Sequence, residues 1–387
     1  MNNLLKRLSV KEINRRYLNL KGILSKDNAY KGPDVVQIDL TDRCKSKCLA
    51  CWMHSPFLNR SQETEIDLDF SVLKVFIEDV VDSGTQEIII SGGGEPFSHP
   101  QVWEILDFIE KSGICFRLNT NFTLLNKDEV KRLASFKSLL SVTVSVWAAY
   151  AKLYSEIHGR DEADYYKVKE NLELFNSSKS ARVYTTLSVT VNNLNYLNID
   201  DLFNFASRVK CNAIELSVLD AIPGKTDCLL LDDKQIKSLR KTLGAFPEFI
   251  RREGRMIRFA NRDIFLRRIS SPGAQEGEYD DYIDNLPCYA GWFFLRLRAN
   301  GDLNSCLKSH RIPIGNIYKE NFASVWNNSF QKRFRLESLN VPKNPLYFNN
   351  LGNAKTTGIG CKRVCDNILI NTAVNRLLKY FRGAHLL

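Results

Sequence analysis

The chain has 387 residues, 44% of them hydrophobic and 25% charged, a balance that fits a globular protein with room for more than one domain. Its apolar runs fall far short of a membrane span, the first residues lack a secretory signal, and ten cysteines without export predict a cytoplasmic protein whose reduced thiols ligate metal. A formal charge of +10 predicts attraction to anions, but no Lys/Arg run interleaved with aromatics marks nucleic acid as the partner.

Residues 1–34 read as a helical extension, with Leu4, Leu5, Leu8, Val10 and Ile13 on one stripe and Leu18 beyond it. From residue 35 a β-then-α alternation begins. Strands are predicted at 35–40, 87–90, 115–121, 141–145, 183–191 and 213–218. Helices follow them: one carries Phe70, Leu73, Phe76, Ile77 and Val80, and another carries Val102, Ile105, Leu106 and Ile109. Asn126 with Glu129 caps the next, and others cover 166–175, 200–207 and 234–243. Six such units imply an α/β protein with a parallel sheet, curved into a partial barrel or doubly wound, and either form puts ligands at the strands' C-terminal ends.

Residues 251–287, with paired arginines and an acidic stretch, read as a linker. After them comes a hairpin over 293–302, with Asn300-Gly301 as its turn. The last segment, 373–387, reads as a basic amphipathic helix with Val374, Leu377, Leu378 and Phe381 on one face. It suits docking on its own domain, or peripheral contact with an anionic membrane.

Cys44, Cys48 and Cys51 follow the first strand in a C-x3-C-x2-C spacing. Three thiolates so placed can hold three irons of a [4Fe–4S] cube and leave the fourth open. Zinc is the alternative, although its sites close four ligands and usually pair cysteines as C-x2-C. Gly92-Gly93-Gly94-Glu95-Pro96 follows the second strand. The glycines allow close backbone approach, or serve packing alone, and Glu95 suits an ammonium-bearing ligand better than a phosphate. A second set comprises Cys288, Cys306, Cys361 and Cys365, in which a hairpin and a C-terminal pair can supply four thiolates to one site; a structural zinc is again the alternative. Cys115, Cys211 and Cys228 stand singly and read as packing.

The first cysteine motif and the glycine-glutamate motif, in that order, resemble the radical S-adenosylmethionine superfamily over residues 35–245. The later cysteines, with 315–317 and Trp326, resemble its SPASM domain, in the shortened form called a twitch domain. The resemblance implies a partial (β/α)6 TIM-like barrel (residues 35–250) and a small C-terminal hairpin-plus-helix domain (288–372). It implies two [4Fe–4S] clusters, one on Cys44, Cys48 and Cys51 and one on Cys288, Cys306, Cys361 and Cys365. S-adenosylmethionine would bind the open iron, with its amino group at Gly92, Gly93, Gly94 and Glu95. Asn119 or Asn121, Ser145 and Arg160 would contact the cofactor, Arg160 at its carboxylate, and Trp52 would pack near the adenine. Reductive cleavage then yields a 5′-deoxyadenosyl radical that abstracts hydrogen from the substrate, with flavodoxin or ferredoxin as electron donor.

A closed auxiliary cluster favours dehydrogenation, and the short N-terminus favours a carbohydrate-like, other small or lipid-linked substrate over a peptide. Peptide maturation is the runner-up, and a zinc-bearing nucleic-acid-binding module is the reading from another class. Glu215, Asp220, Tyr184 and Arg117 lie on or near strands, where an acid–base role and a core ion pair are equally good explanations.

Overall fold

A computed structural model describes residues 9–58, 65–271, 283, 285–352, 361 and 365–383. Helix α1 (Val10–Ser25) opens with a capping box between Ser9 and Glu12. The predicted stripe is not the face it buries: Val10 and Ile13 are exposed, while Leu20 and Ile23 pack beside Tyr289, Trp292 and Leu378. The helix turns towards this C-terminal cluster because Gly22 leaves room for the Trp292 ring. Leu4, Leu5 and Leu8 lie outside the described residues.

All six predicted strands form: β1 (Val35–Asp39), β2 (Glu87–Ser91), β3 (Cys115–Thr120), β4 (Leu139–Ser145), β5 (Tyr184–Val191) and β6 (Ala213–Val218). Each pairs in parallel with the next. Helices α2 (Phe70–Asp82), α3 (Val102–Ser112), α4 (Lys127–Ser135), α5 (Ala151–His158), α6 (Glu162–Ser178), α7 (Ile199–Arg208) and α8 (Asp233–Gly244) complete the partial barrel. The period of two along each strand explains the hollow. Val36, Ile38, Ile88, Ile90, Phe116, Leu118, Val142 and Val144 are wholly buried in the core. The alternate residues Gln37, Ser91, Asn119, Ser145 and Glu215 are polar and line a concave cavity.

Among the described residues the sheet runs to 11 strands because both ends are extended. On one side lie β7 (Phe249–Arg252) and β8 (Arg255–Phe259), a hairpin whose second strand pairs in parallel with β6. Helix α9 (Arg262–Arg268) follows. The expectation of a linker over 251–287 is therefore corrected for residues 251–268. Ile250, Ile257 and Phe259 alternate into the core, Arg251 and Arg258 occupy the opposite face, and Arg252 and Arg255 pair at the turn end of the hairpin.

On the other side β9 (Phe294–Leu297) pairs in parallel with β1, and β10 (Asp302–Asn304) and β11 (Gly315–Asn316) follow antiparallel. The predicted hairpin turn is present, with Gly301 at φ +85°. The C-terminal region thus continues the barrel's own sheet.

Three short helices, α10 (Ala290–Phe293), α11 (Phe322–Trp326) and α12 (Ser329–Leu339), pack around buried Arg335. Its guanidinium donates to the carbonyls of Asp27, Gly291 and Trp326. After the short helix α13 (Pro345–Phe348), the terminal helix α14 (Ile368–Gly383) crosses the expected boundary at 372/373. It docks on its own chain through Ile368, Asn371, Val374 and Leu378, while Leu377 is exposed; the side chain of Phe381 lies outside the described residues. No helix among the described residues is long and apolar enough to cross a membrane.

Candidate active site

The cysteine loop after β1 is held from two sides. Gly94 N–H donates to the Thr41 carbonyl at 2.9 Å and Glu95 N–H to the Arg43 carbonyl at 2.7 Å. From the other side, Lys47 and Leu49 N–H groups donate to the His158 and Ile157 carbonyls at the C-terminus of α5. The Cys51 sulfur accepts from the backbone N–H groups of Met53 and His54, at 3.4 and 3.2 Å. His158 places Nδ1 3.2 Å from the Cys48 sulfur. Burial pushes the Cys44 thiol up to about 11 and Cys48 well above the ordinary range, with the neighbouring cysteines adding to the latter. Three half-buried thiols that repel one another as thiolates suit a positively charged partner, and iron is one that soft sulfur donors accept.

Gly93 and Gly94 are required by the cysteine loop itself, and Gly92 by the carbonyl of Gly94. A Cβ on Gly94 would lie 2.1 Å from the Arg43 carbonyl oxygen, and one on Gly93 would lie 2.5 Å from the Asp42 carboxylate and the Met53 sulfur. The two motifs therefore pack as one unit, and Gly92, Gly93, Gly94 and Glu95 all line the cavity. Glu95 is fully buried. Its carboxylate accepts from the Thr120 hydroxyl at 2.6 Å and from the N–H groups of Asn121 and Phe97 at 2.7 and 3.3 Å. Burial outweighs those bonds and pushes its carboxyl up to about 7. Glu95 thus braces the end of β3 as well as facing the cavity, and an ammonium group brought there would draw it back towards the ionised form.

Cys44, Cys48, Cys51, Asn119, Asn121, Ser145 and Trp52 line the same cavity, of about 680 Å³. Asn119 donates to Ser91 Oγ at 3.2 Å. Arg160 does not line it. Its guanidinium pairs with Asp164 at 2.7 Å and donates to the Lys45 carbonyl at 3.2 Å, so it braces the outside of the cysteine loop, and the expectation that it meets a cofactor carboxylate is corrected.

Sequence reasoning missed much of the lining: His54 and His158 beside the cysteine loop, and Arg268, Arg296, Lys308, His310 and Asp366 beyond it. Arg296 is buried against Asp39 of β1 at 2.5 Å, with its guanidinium over the Trp52 ring. Lys308 pairs with Asp220 at 2.7 Å. Glu215 takes part in none of the ion pairs among the described residues; burial, and then the Asp366 carboxylate, raise its carboxyl. Arg117 pairs with Glu87 and Tyr184 is exposed; neither lines the cavity.

Cys288, Cys306, Cys361 and Cys365 all line a second, small apolar cavity with Leu286, Phe334, Phe348 and Leu351. Burial pushes the Cys306 thiol up to about 12 and Cys365 well above its ordinary value, with other cysteines of the set adding to both. Among the described residues no three His, Cys, Asp or Glu side chains converge as a single-ion site. The two cavities share a wall formed by Leu307, Lys308, Cys365 and Asp366.

Comparison with known proteins matches residues 38–206 to the model described as the radical SAM superfamily, and residues 288–347 to that of an iron–sulfur cluster-binding domain, SPASM. The antilisterial bacteriocin subtilosin biosynthesis protein AlbA of Bacillus subtilis is 22% identical, over 85% of this chain and 67% of its own. The tungsten-containing aldehyde ferredoxin oxidoreductase cofactor-modifying protein of Pyrococcus furiosus is also 22% identical, over 80% of this chain and 84% of its own. Among solved structures, Streptococcus suis SuiB bound to S-adenosylmethionine superposes with a TM-score of 0.61 at 20% identity, covering 84% of this chain and 72% of that one.

Proposed function

The chain belongs to the radical S-adenosylmethionine superfamily and carries a SPASM domain, and from that premise we propose that it oxidises a side chain of a peptide held between its two cysteine sites. S-adenosylmethionine and [4Fe–4S] clusters are its cofactors. When bound, they supply hydrogen-atom abstraction from the substrate and a sink for the electron left behind. In this reading Cys44, Cys48 and Cys51 hold one cluster and Cys288, Cys306, Cys361 and Cys365 the other, while Gly92, Gly93, Gly94, Glu95, Asn119 and Ser145 border the S-adenosylmethionine pocket.

The observation that carries the oxidative reading is the shared wall. Leu307, Lys308, Cys365 and Asp366 line both a substrate-sized cavity and the four-cysteine cavity. A substrate that loses a hydrogen atom and then an electron must also lose a proton. Glu215 lies in the cavity with a carboxyl raised by burial and by Asp366, which makes it a stronger base than an exposed carboxylate. The Lys308–Asp220 pair orients the same wall.

A peptide is favoured as the substrate class because AlbA is named for bacteriocin biosynthesis, SuiB has been solved bound to the precursor peptide SuiA, and anSMEcpe has been solved with a peptide. The small-molecule reading retains one observation in its favour, the charged and polar lining (Glu215, Asp220, Arg268, Lys308), which also suits a hydroxyl-rich metabolite.

The test is anaerobic incubation of the reconstituted protein with dithionite, S-adenosylmethionine and panels of peptides and carbohydrates, following 5′-deoxyadenosine and substrate mass. A peptide lighter by about two mass units, the loss of two hydrogens, is expected. Conversion confined to a carbohydrate overturns the substrate class, and a modified product of unchanged mass overturns the oxidation. Glu215→Gln should keep forming 5′-deoxyadenosine while product falls by roughly a hundredfold or more.

A further inference from the structure

We infer that His158 is a positioning residue for the three-cysteine site, donating a hydrogen bond from Nδ1–H to the Cys48 sulfur and so setting the reduction potential of the group those cysteines hold. The inference rests on the reading of Cys44, Cys48 and Cys51 as ligands of a [4Fe–4S] cluster.

Two observations and the chemistry of imidazole fix the proton. His158 Nδ1 lies 3.2 Å from Cys48 Sγ, across 110 residues of sequence. The other ring nitrogen, Nε2, is 3.0 Å from the backbone N–H of Trp147, and a backbone N–H can only donate. A neutral imidazole carries one proton, so with Nε2 accepting, the proton is on Nδ1 and faces the sulfur. The ring is also held in place. It is 1% exposed, with the Tyr154 ring centroid at 4.4 Å and that of Trp147 at 5.0 Å. The backbone beside it is anchored to the cysteine loop through Lys47 N–H and Leu49 N–H. Gly159, at φ +57°, closes α5 where a Cβ would lie 2.8 Å from the Lys47 carbonyl oxygen.

The consequence follows from charge. An N–H dipole aimed at a ligand thiolate stabilises negative charge on it, and reduction adds negative charge to the cluster. The bond therefore favours the reduced state and raises the potential. Cys51 receives its donors from the backbone, whereas Cys48 receives a side chain that mutation can remove.

The test uses full-length protein reconstituted anaerobically, without S-adenosylmethionine, in a redox titration followed by electron paramagnetic resonance. In His158→Phe, at a fixed solution potential, the reduced-to-oxidised ratio of the three-cysteine cluster should fall roughly three- to tenfold, a fraction of the free energy of one hydrogen bond to a charged group. The four-cysteine cluster should titrate as before and serves as the internal reference. His158→Gln, which retains an N–H donor, should stay nearer the parent. An unchanged potential in His158→Phe, or an equal shift of both clusters, overturns the inference.

Should His158→Phe fail to hold its cluster, the parent protein decides. With ¹⁵N-labelled histidine, pulsed resonance of the reduced three-cysteine cluster should show a nitrogen coupling that His158→Gln loses, and its absence in the parent overturns the inference. About four irons per chain in the reconstituted parent, in place of about eight for two cubes, would instead refute the ligand reading, and the inference with it.

Discussion

Glu95 shows how burial reshapes what a motif residue can do. A glutamate after three glycines reads as a standing negative charge, yet it is fully buried, its oxygens accept three hydrogen bonds from its own chain, and its carboxyl is raised from 4.5 to about 7. A carboxyl whose folded pKa lies above its unfolded value stabilises the fold most fully below the unfolded value. That contribution is lost as pH rises through 7. The ligand-free chain should therefore lose stability, on the order of 3 kcal/mol, between about pH 4.5 and pH 7.5 from this group. Glu95→Gln should flatten that dependence. Its amide oxygen can accept from Asn121 while the Thr120 hydroxyl turns to accept from its NH2 group, so only the longer Phe97 bond is lost. Thermal unfolding of both proteins across this range checks it, and parallel profiles would refute it. Gly94 makes the complementary point about space. A Cβ 2.1 Å from the Arg43 carbonyl oxygen can be relieved only by backbone movement of the cysteine loop. Gly94→Ala should cut iron and labile sulfide to about half the parent's, the share of one of two cubes, while far-ultraviolet circular dichroism stays near the parent spectrum.

At the scale of elements, what was legible depended on whether the signal was local. The six barrel strands carry apolar alternation and clear breaks, and each formed where expected. The β7–β8 hairpin carries the same alternation in Ile250, Ile257 and Phe259, but the adjacent arginines Arg251 and Arg252, with the arginine pair and acidic stretch that follow, made it read as a linker. His158 left no local trace at all. It is one buried histidine whose partner sulfur is 110 residues away, while the sequence reading named Arg160, which is engaged by the Lys45 carbonyl and Asp164. Helix α14 was recognised as amphipathic, but which leucine docks was not. Leu378 is 5% exposed against Ile23, Tyr289 and Trp292, whereas its neighbour Leu377 is half exposed. Leu378→Ala should therefore cost about 2–3 kcal/mol, and Leu377→Ala under about 0.5 kcal/mol. Equal effects in chemical denaturation would mean that the helix does not dock on this face.

The whole molecule departs from the two-domain picture that motif spacing suggests, because the pairing that joins its halves is non-local. β9 lies in parallel against β1, with Val35 opposite Phe294 and Ile38 opposite Leu297, a contact between residues some 260 positions apart that no sequence window contains. β1 is thus an interior strand only when the C-terminal region is present. Across the same junction the Asp39 carboxylate, 1% exposed, is neutralised by Arg296 at 2.5 Å, and Arg335 ties Asp27, Gly291 and Trp326 together. Removing one partner of a buried ion pair leaves an uncompensated charge, at a cost of about 3–5 kcal/mol, and removing β9 also bares the hydrogen-bonding edge of β1. The halves should therefore not unfold separately. In calorimetry the ligand-free chain should melt in one transition, with calorimetric and van't Hoff enthalpies in agreement. Arg296→Met should lower that single transition without splitting it, and a fragment ending at residue 287 should aggregate or remain unfolded. Two resolved transitions in the parent, or a fragment that melts cooperatively as a monomer, would show that the shared sheet does not couple the two cysteine sites into one folding unit.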